Sequence, residues 1–384
     1  MTTSLSSVPD TSRERAEKEG IGQLIRNRRM IVCCGAGGVG KTTTAAAIAL
    51  AAARLGRRVL VLTIDPSRRL AETLGVSRNP PAPVALAPER RAAAGITSGT
   101  LECWLLDPKL VADEAVRKLS RTPEEAEHFL NNRIYQNVTQ MVAGMHEYTA
   151  MEELHKLVQE GRYDLVVLDT PPSRHALDFL DAPGRLARIL DGKVFSALLP
   201  KKGSLVARAA SRVVERLLSL VFGAEFATDL TSFIATFSGL FLVLSGHVNE
   251  MRESLGRPDV AFLLVCSPAP STLTEAFFFQ DKTKELKLPF EGFVLNRSRV
   301  RAGGRVMPTE EMLGPAPSAD GLAALAKLKA LARVELAASD RDLHLLEELR
   351  TKAGEGRLAI AVPELPQGAD DMSTLVAVAD VLAT

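Results

Sequence analysis

The sequence predicts an α/β protein, built on a doubly wound, mostly parallel sheet that carries an inserted α-helical subdomain. Three observations predict it. Short β-rich runs alternate with longer helical segments along the chain. Several of these runs are apolar throughout, as expected of strands buried on both faces of a parallel sheet. The order strand, helix, strand is that of right-handed crossover units.

The elements follow in chain order. Residues 1–22 read as a flexible tail, because Met1–Gly20 is polar, mixed in charge and free of the apolar run a signal peptide needs. The β-rich runs are Arg29–Cys34, Val59–Ile64, Leu101–Leu106, Leu165–Leu168, Val260–Cys266, Phe293–Leu295 and Leu358–Val362. Lys41–Leu55 is rich in alanine and reads as the first crossover helix. Asn79–Pro88, with its prolines, reads as a loop. Two long stretches, 107–160 and 179–257, lack strand signals and form the expected helical subdomain; 23–106, 161–178 and 258–384 form the sheet core. Within the second stretch, Leu205–Phe222 repeats apolar pairs at helical spacing, with Arg208, Arg212 and Arg216 on another face. Phe233, Phe237, Phe241, Leu244, Val248 and Met251 continue at that spacing.

Composition excludes several classes. With 47 Lys+Arg against 46 Asp+Glu the net charge is +1, which argues against nucleic acid as a general partner. Hydrophobic residues make up 46% of the chain, which argues against disorder. Phe233–Leu244 is interrupted by Thr236, Ser238 and Gly239 and falls short of the roughly 18–20 residues that span a bilayer. No membrane insertion is expected, and the location expected is the cytoplasm. Cys33 and Cys34 are adjacent on a strand and point to opposite faces, so they are poor disulfide partners. The chain has no CxxC, HxxxH or HExxH, so no structural zinc is expected.

The strongest chemical signal is Gly35-Ala36-Gly37-Gly38-Val39-Gly40-Lys41-Thr42-Thr43. It fits G-x-x-x-x-G-K-[ST] and lies between an apolar strand and an alanine-rich helix, the context that motif requires. The glycines let successive N–H groups converge on one anion, and the helix N-terminus adds partial positive charge. The motif gives Lys41 the β- and γ-phosphates of ATP, and gives the Thr42 hydroxyl a Mg²⁺ ion. Asp169 ends the run Leu165–Leu168, so it faces the crevice at the strand tips and is a candidate Mg²⁺ ligand, directly or through water. Asp65 follows the second run, in a segment Ile64-Asp65-Pro66-Ser67 whose Asp-Pro pair has a turn as its alternative reading. As a carboxylate beside the loop it is the candidate to orient attacking water, and a third Mg²⁺ contact.

Taken together, GAGGVGKTT, then IDPSRRL, LDTPPSRHALDFL and VLNR, resemble the arsenite-efflux and tail-anchored-protein-targeting ATPases, a branch of the deviant-Walker P-loop proteins. The resemblance covers residues 29–366. It implies a nucleotide-sandwich dimer, homodimeric or paired with a related ATPase, which closes on ATP and opens on hydrolysis. It also implies a helical subdomain that receives a client such as an apolar membrane-protein helix. By position, Asp65 matches the switch I aspartate that acts on water. Asp169–His175 match switch II, Asn296 matches an asparagine that recognises adenine, and the segment around Pro363 matches a loop closing over the base.

This chain departs from the family pattern at defined places. Ala36 stands where the family usually has a lysine that reaches the partner's phosphates. The missing cation leaves developing phosphoryl charge to Arg68, Arg69 or Arg174, to a lysine-bearing partner, or to slow turnover. The CxxC zinc clamp of the targeting members is absent, and Cys103 alone lies where iron–sulfur relatives carry a pair of cysteines. Arsenite needs converging thiolates, for which Cys33, Cys34, Cys103 and Cys266 give little support. The apolar faces of 205–222 and 233–251 suit internal packing or a client groove. Met141, Met145, Met151 and Phe277–Phe279 are expected to be core, and His175 a conformational contact.

Overall fold

A computed structural model of the chain describes residues 20–64, 69–76, 82–120, 122–132, 135, 153–171, 223, 250, 253–300, 307–313, 318–365 and 371–383. Its strands are β1 (Met30–Gly35), β2 (Arg58–Thr63), β3 (Val84–Ala85), β4 (Thr100–Leu105), β5 (Leu165–Asp169), β6 (Val260–Cys266), β7 (Phe290–Ser298) and β8 (Leu358–Pro363). They form one sheet in the order β3-β4-β2-β5-β1-β6-β7-β8. Every pairing is parallel except β3 with β4. β1 therefore lies inside the sheet, with β5 on one side and β6 on the other.

Period-two alternation divides the core into two layers. Ile31 and Cys33 of β1 face one apolar cluster, and Met30, Val32 and Cys34 face the other. The first layer is covered by helical residues 20–27 (α1), α2 (Lys41–Arg54), α3 (Arg69–Leu74) and, from the other end of the chain, Asp371–Ala383. α2 has eleven buried residues, mostly alanine. Their small side chains let the helix lie close over β2 and β5, so its N-terminus is held at the tips of the central strands. After the short α4 (Pro88–Ala93), α5 (Pro108–Leu119) and α6 (Pro123–Leu130) open the 107–160 stretch. Asp107 and Thr122 cap them through their side chains. The second layer is covered by helical residues 153–159 (α7), α8 (Pro270–Glu285) and the C-terminal half of α9 (Ala319–Ala353). Asp371–Ala383 is α10. No helix among the described residues is long and apolar enough to cross a membrane.

Four differences from the sequence reading have local causes. Within the expected flexible tail, residues 20–22 are already helical, and Ile21 and Ile25 are fully buried against the first layer. The expected loop Asn79–Pro88 contains β3, whose two residues pair with Glu102 and Cys103 of β4. Phe278 is 52% exposed under the Lys282 ammonium, whereas Phe279 is buried. Three consecutive helical positions cover more than half the circumference, so they cannot all face the core. Finally, α9 runs for 35 residues, capped by the Ser318 hydroxyl on the Gly321 N–H and ended by Gly354 at φ +90°. That serine and glycine pair was the available signal for a helix the sequence reading did not place.

Candidate functional site

The phosphate-loop motif occupies the turn from β1 to α2. Ala36 and Val39 are buried and anchor it, while Gly37 and Gly38 form an exposed crest between them. Gly35 ends the strand at φ +153°, and a Cβ there would lie 2.0 Å from the Val265 carbonyl oxygen of β6. No other residue fits that approach, so the turn starts flush against the neighbouring strand. Gly40 is the N-cap of α2 in the left-handed region, and no side chain caps the helix. The first N–H groups of α2 are therefore open to an anion, reinforced by the helix dipole. Lys41 is buried at 6% exposure and donates from Nζ to the Ala36 carbonyl at 2.8 Å.

Asp169 ends β5, the strand beside β1, and is fully buried. Its Oδ2 accepts from the Thr42 hydroxyl at 2.8 Å and from the Thr63 hydroxyl at 3.0 Å. Thr63 ends β2 on the far side of β5, so two strand tips and the first turn of α2 meet at one carboxylate. Thr170 continues the contact by donating its hydroxyl to the Cys33 carbonyl at 2.9 Å. Thr42 Oγ1 and the Asp169 carboxylate are a hard-oxygen pair, which fits Mg²⁺ held by one or two side chains with water completing the shell. Among the described residues no group of three or more His, Cys, Asp or Glu could hold a metal ion on its own.

The far side of the loop meets β7. Asn296 is largely buried, and its Nδ2 donates to the Val39 carbonyl at 2.8 Å. Beyond it, Ser298 pairs with Pro363 of β8, so the Pro363 segment lies beside this end of β7. The Arg299 N–H donates to the buried Asp342 carboxylate of α9 at 2.7 Å, and its guanidinium meets Glu335 at 3.0 Å. The structure thus brings together Gly35, Gly37, Gly38, Val39, Gly40, Lys41, Thr42, Thr43, Asp169 and Asn296 around one turn. Asp65, Arg68, Arg174 and His175 lie outside the described residues, as do Met141, Met145, Met151 and the apolar helix faces expected at 205–222 and from Phe233 onward. Of Arg69 only the backbone, at the start of α3, is described. The hold of Asn296 on Val39 and of Thr63 on Asp169 escaped sequence reasoning, since each joins residues more than a hundred positions apart.

The four cysteines are all free and buried. Cys33 and Cys103 belong to one apolar layer, Cys34 and Cys266 to the other. Burial pushes the Cys34, Cys103 and Cys266 thiols up to about 12. Cys33 is also raised, first by burial and then by the negative charge of Asp169, with Lys41 pulling the other way. The thiolate is the species that attacks disulfides and binds soft ions, so these groups are held inert at neutral pH. An aromatic disulfide reagent should label none of the four within minutes in the folded protein and all four in denaturant, as counted by released chromophore. Prompt labelling of the native protein would contradict the burial.

Comparison with known proteins places the chain in a family. Residues 28–298 match the family described as anion-transporting ATPase. ATPase GET3 of Kluyveromyces lactis is 28% identical over 62% of this chain and 63% of its own length. An ATPase of Aquifex aeolicus, whose name provisionally assigns it to driving an arsenical pump, is 26% identical over 65% of this chain and 58% of its own. An uncharacterised protein of Streptomyces coelicolor, SCO2128, is 29% identical over 73% and 63%. The alignments therefore span about three fifths of each relative's length. The family match begins just before β1, ends with the last residue of β7 and takes in both Lys41 and Asp169. Covering more than half of the sequence, it shows that the chain belongs to the anion-transporting ATPase family.

Proposed function

We propose that this protein hydrolyses ATP with Mg²⁺ as a dimer, and that the cycle opens and closes a helical surface for an apolar client. One observation carries the reading: the Thr42 hydroxyl and the Asp169 carboxylate meet at 2.8 Å beneath a glycine crest at the N-terminus of α2. In this reading the loop N–H groups and the start of α2 receive the phosphate oxygens. Lys41 exchanges the Ala36 carbonyl for the β- and γ-phosphates. Thr42 and Asp169, with Asp65 through water, would hold the metal. Mg²⁺, when bound, offsets charge on the β- and γ-oxygens. Asp65 orients a water on the γ-phosphorus. As the new P–O bond forms, the bond to the bridging oxygen breaks with its electron pair on ADP, and the water proton passes to the carboxylate.

A second reading has one observation in its favour. Ala36 is buried and brings no cation to the loop. Positive charge beside the transferring phosphoryl group then falls to Arg68, Arg69 or Arg174, or to the lysine of a related partner chain. The test is phosphate release by the purified protein, with mass by light scattering, with and without Mg²⁺ and ATP. We expect Mg²⁺-dependent release and a mass that doubles with ATP. Tight ATP binding without release would favour a nucleotide-binding subunit of a hetero-pair. No binding of ATP in calorimetry would remove both readings.

A further inference from the structure

We propose that Asn296 is a positioning residue of the phosphate loop, which fixes the plane of the Val39–Gly40 peptide and so the direction of the Gly40 N–H. The inference rests on the reading of that loop as a phosphate site. Its first support is the bond itself: Asn296 Nδ2 donates to the Val39 carbonyl at 2.8 Å, across 257 positions of sequence and from a strand that does not pair with β1. In a planar trans peptide the C=O and the following N–H point in opposite directions. Holding the Val39 oxygen toward β7 therefore turns the Gly40 N–H away from β7.

Two further features are built around this contact. Gly40 leaves the room it needs, since a Cβ at residue 40 would sit 2.1 Å from Asn296 Nδ2. The end of β7 is bulged: from Leu295 to Ser298 it advances three residues while β8 advances two, from Ala361 to Pro363. Arg297 within that bulge takes φ +56°, a left-handed conformation that non-glycine residues adopt at a cost. Bulges re-aim side chains at sites of function, and this one lies directly beside Asn296. The resemblance assigns Asn296 to adenine. A side-chain amide carries two N–H groups and one oxygen, so bracing the loop leaves groups for a base. The brace is the additional role.

The two roles separate when the base is removed. Binding of ATP and of inorganic tripolyphosphate, each with Mg²⁺, is measured by calorimetry on the full chain, wild type against Asn296→Ala. A brace predicts that tripolyphosphate weakens roughly three- to tenfold, as for one net hydrogen bond, and that ATP, which also carries the base, weakens at least as much. It also predicts a raised KM with kcat at saturation nearly kept, a split that general loosening of the fold would not give. Asn296→Asp keeps the shape, removes the donor and should weaken both ligands at least as much, which covers the case where the alanine variant folds poorly. Loss of ATP binding with tripolyphosphate unchanged would make Asn296 a base contact alone and overturn the brace. Unchanged binding of both ligands would overturn it too. Wild-type protein that binds neither ligand would instead take away the phosphate site on which the proposal stands.

Discussion

Substituting Asp65 by asparagine should slow phosphate release by about 10²–10⁴-fold while leaving ATP bound. The argument starts from β2. Its last residue, Thr63, donates its hydroxyl to Asp169, and the next N–H, of Ile64, donates to the Asp169 carbonyl at 3.3 Å. The chain therefore leaves the sheet at the carboxylate proposed to hold the metal, and residue 65 follows next in sequence. Asparagine keeps the size of aspartate but loses the negative acceptor that draws a proton from water. In the proposed reading the loop, Lys41 and the start of α2 make the phosphate contacts, so the Kd for ATP should change little. The dimer should accumulate in its ATP-bound form, visible as retained nucleotide after gel filtration. Wild-type turnover in the variant would assign the water to another residue.

Asp169→Ala should lower kcat by about 10²–10³-fold, the scale seen when one preorganised electrostatic partner of a transition state is removed. Half-saturation by Mg²⁺ should rise in parallel, because a direct or water-mediated ligand is lost. Stability should move far less. The Thr42 and Thr63 hydroxyls lose their shared acceptor, at a cost of about 1–3 kcal/mol for each that stays buried. Removing a fully buried carboxylate offsets part of that through regained solvation energy. The thermal midpoint then falls by a few degrees, at about 2–4 °C per kcal/mol for a domain of this order. A midpoint that collapses together with kcat would mean that Asp169 serves the sheet and not the metal.

The core of the site was legible because its signals are local. Gly35–Thr43 is one contiguous motif, and both its strand and its helix announce themselves by composition. Asp169 could be placed because an apolar run ends on a carboxylate, and strand tips in parallel sheets face the crevice. The remaining features depend on partners brought in by the fold. That residue 35 must be glycine follows from the Val265 carbonyl on another strand. That Asn296 grips the loop follows from the strand order and a bulge, neither of which leaves a local pattern. The two-residue β3 lacks the length for any alternation to show. Ile21 reads as tail from its polar neighbours, and only the layer over the sheet shows it to be core.

The placement of β1 between β5 and β6 has a mechanical consequence. Thr42 is tied to β5 through Asp169, and Val39 is tied to β7 through Asn296, so the cradle is guyed from both wings of the sheet. In the proposed cycle such a cradle is the stator, a base that stays still while the movement arises elsewhere.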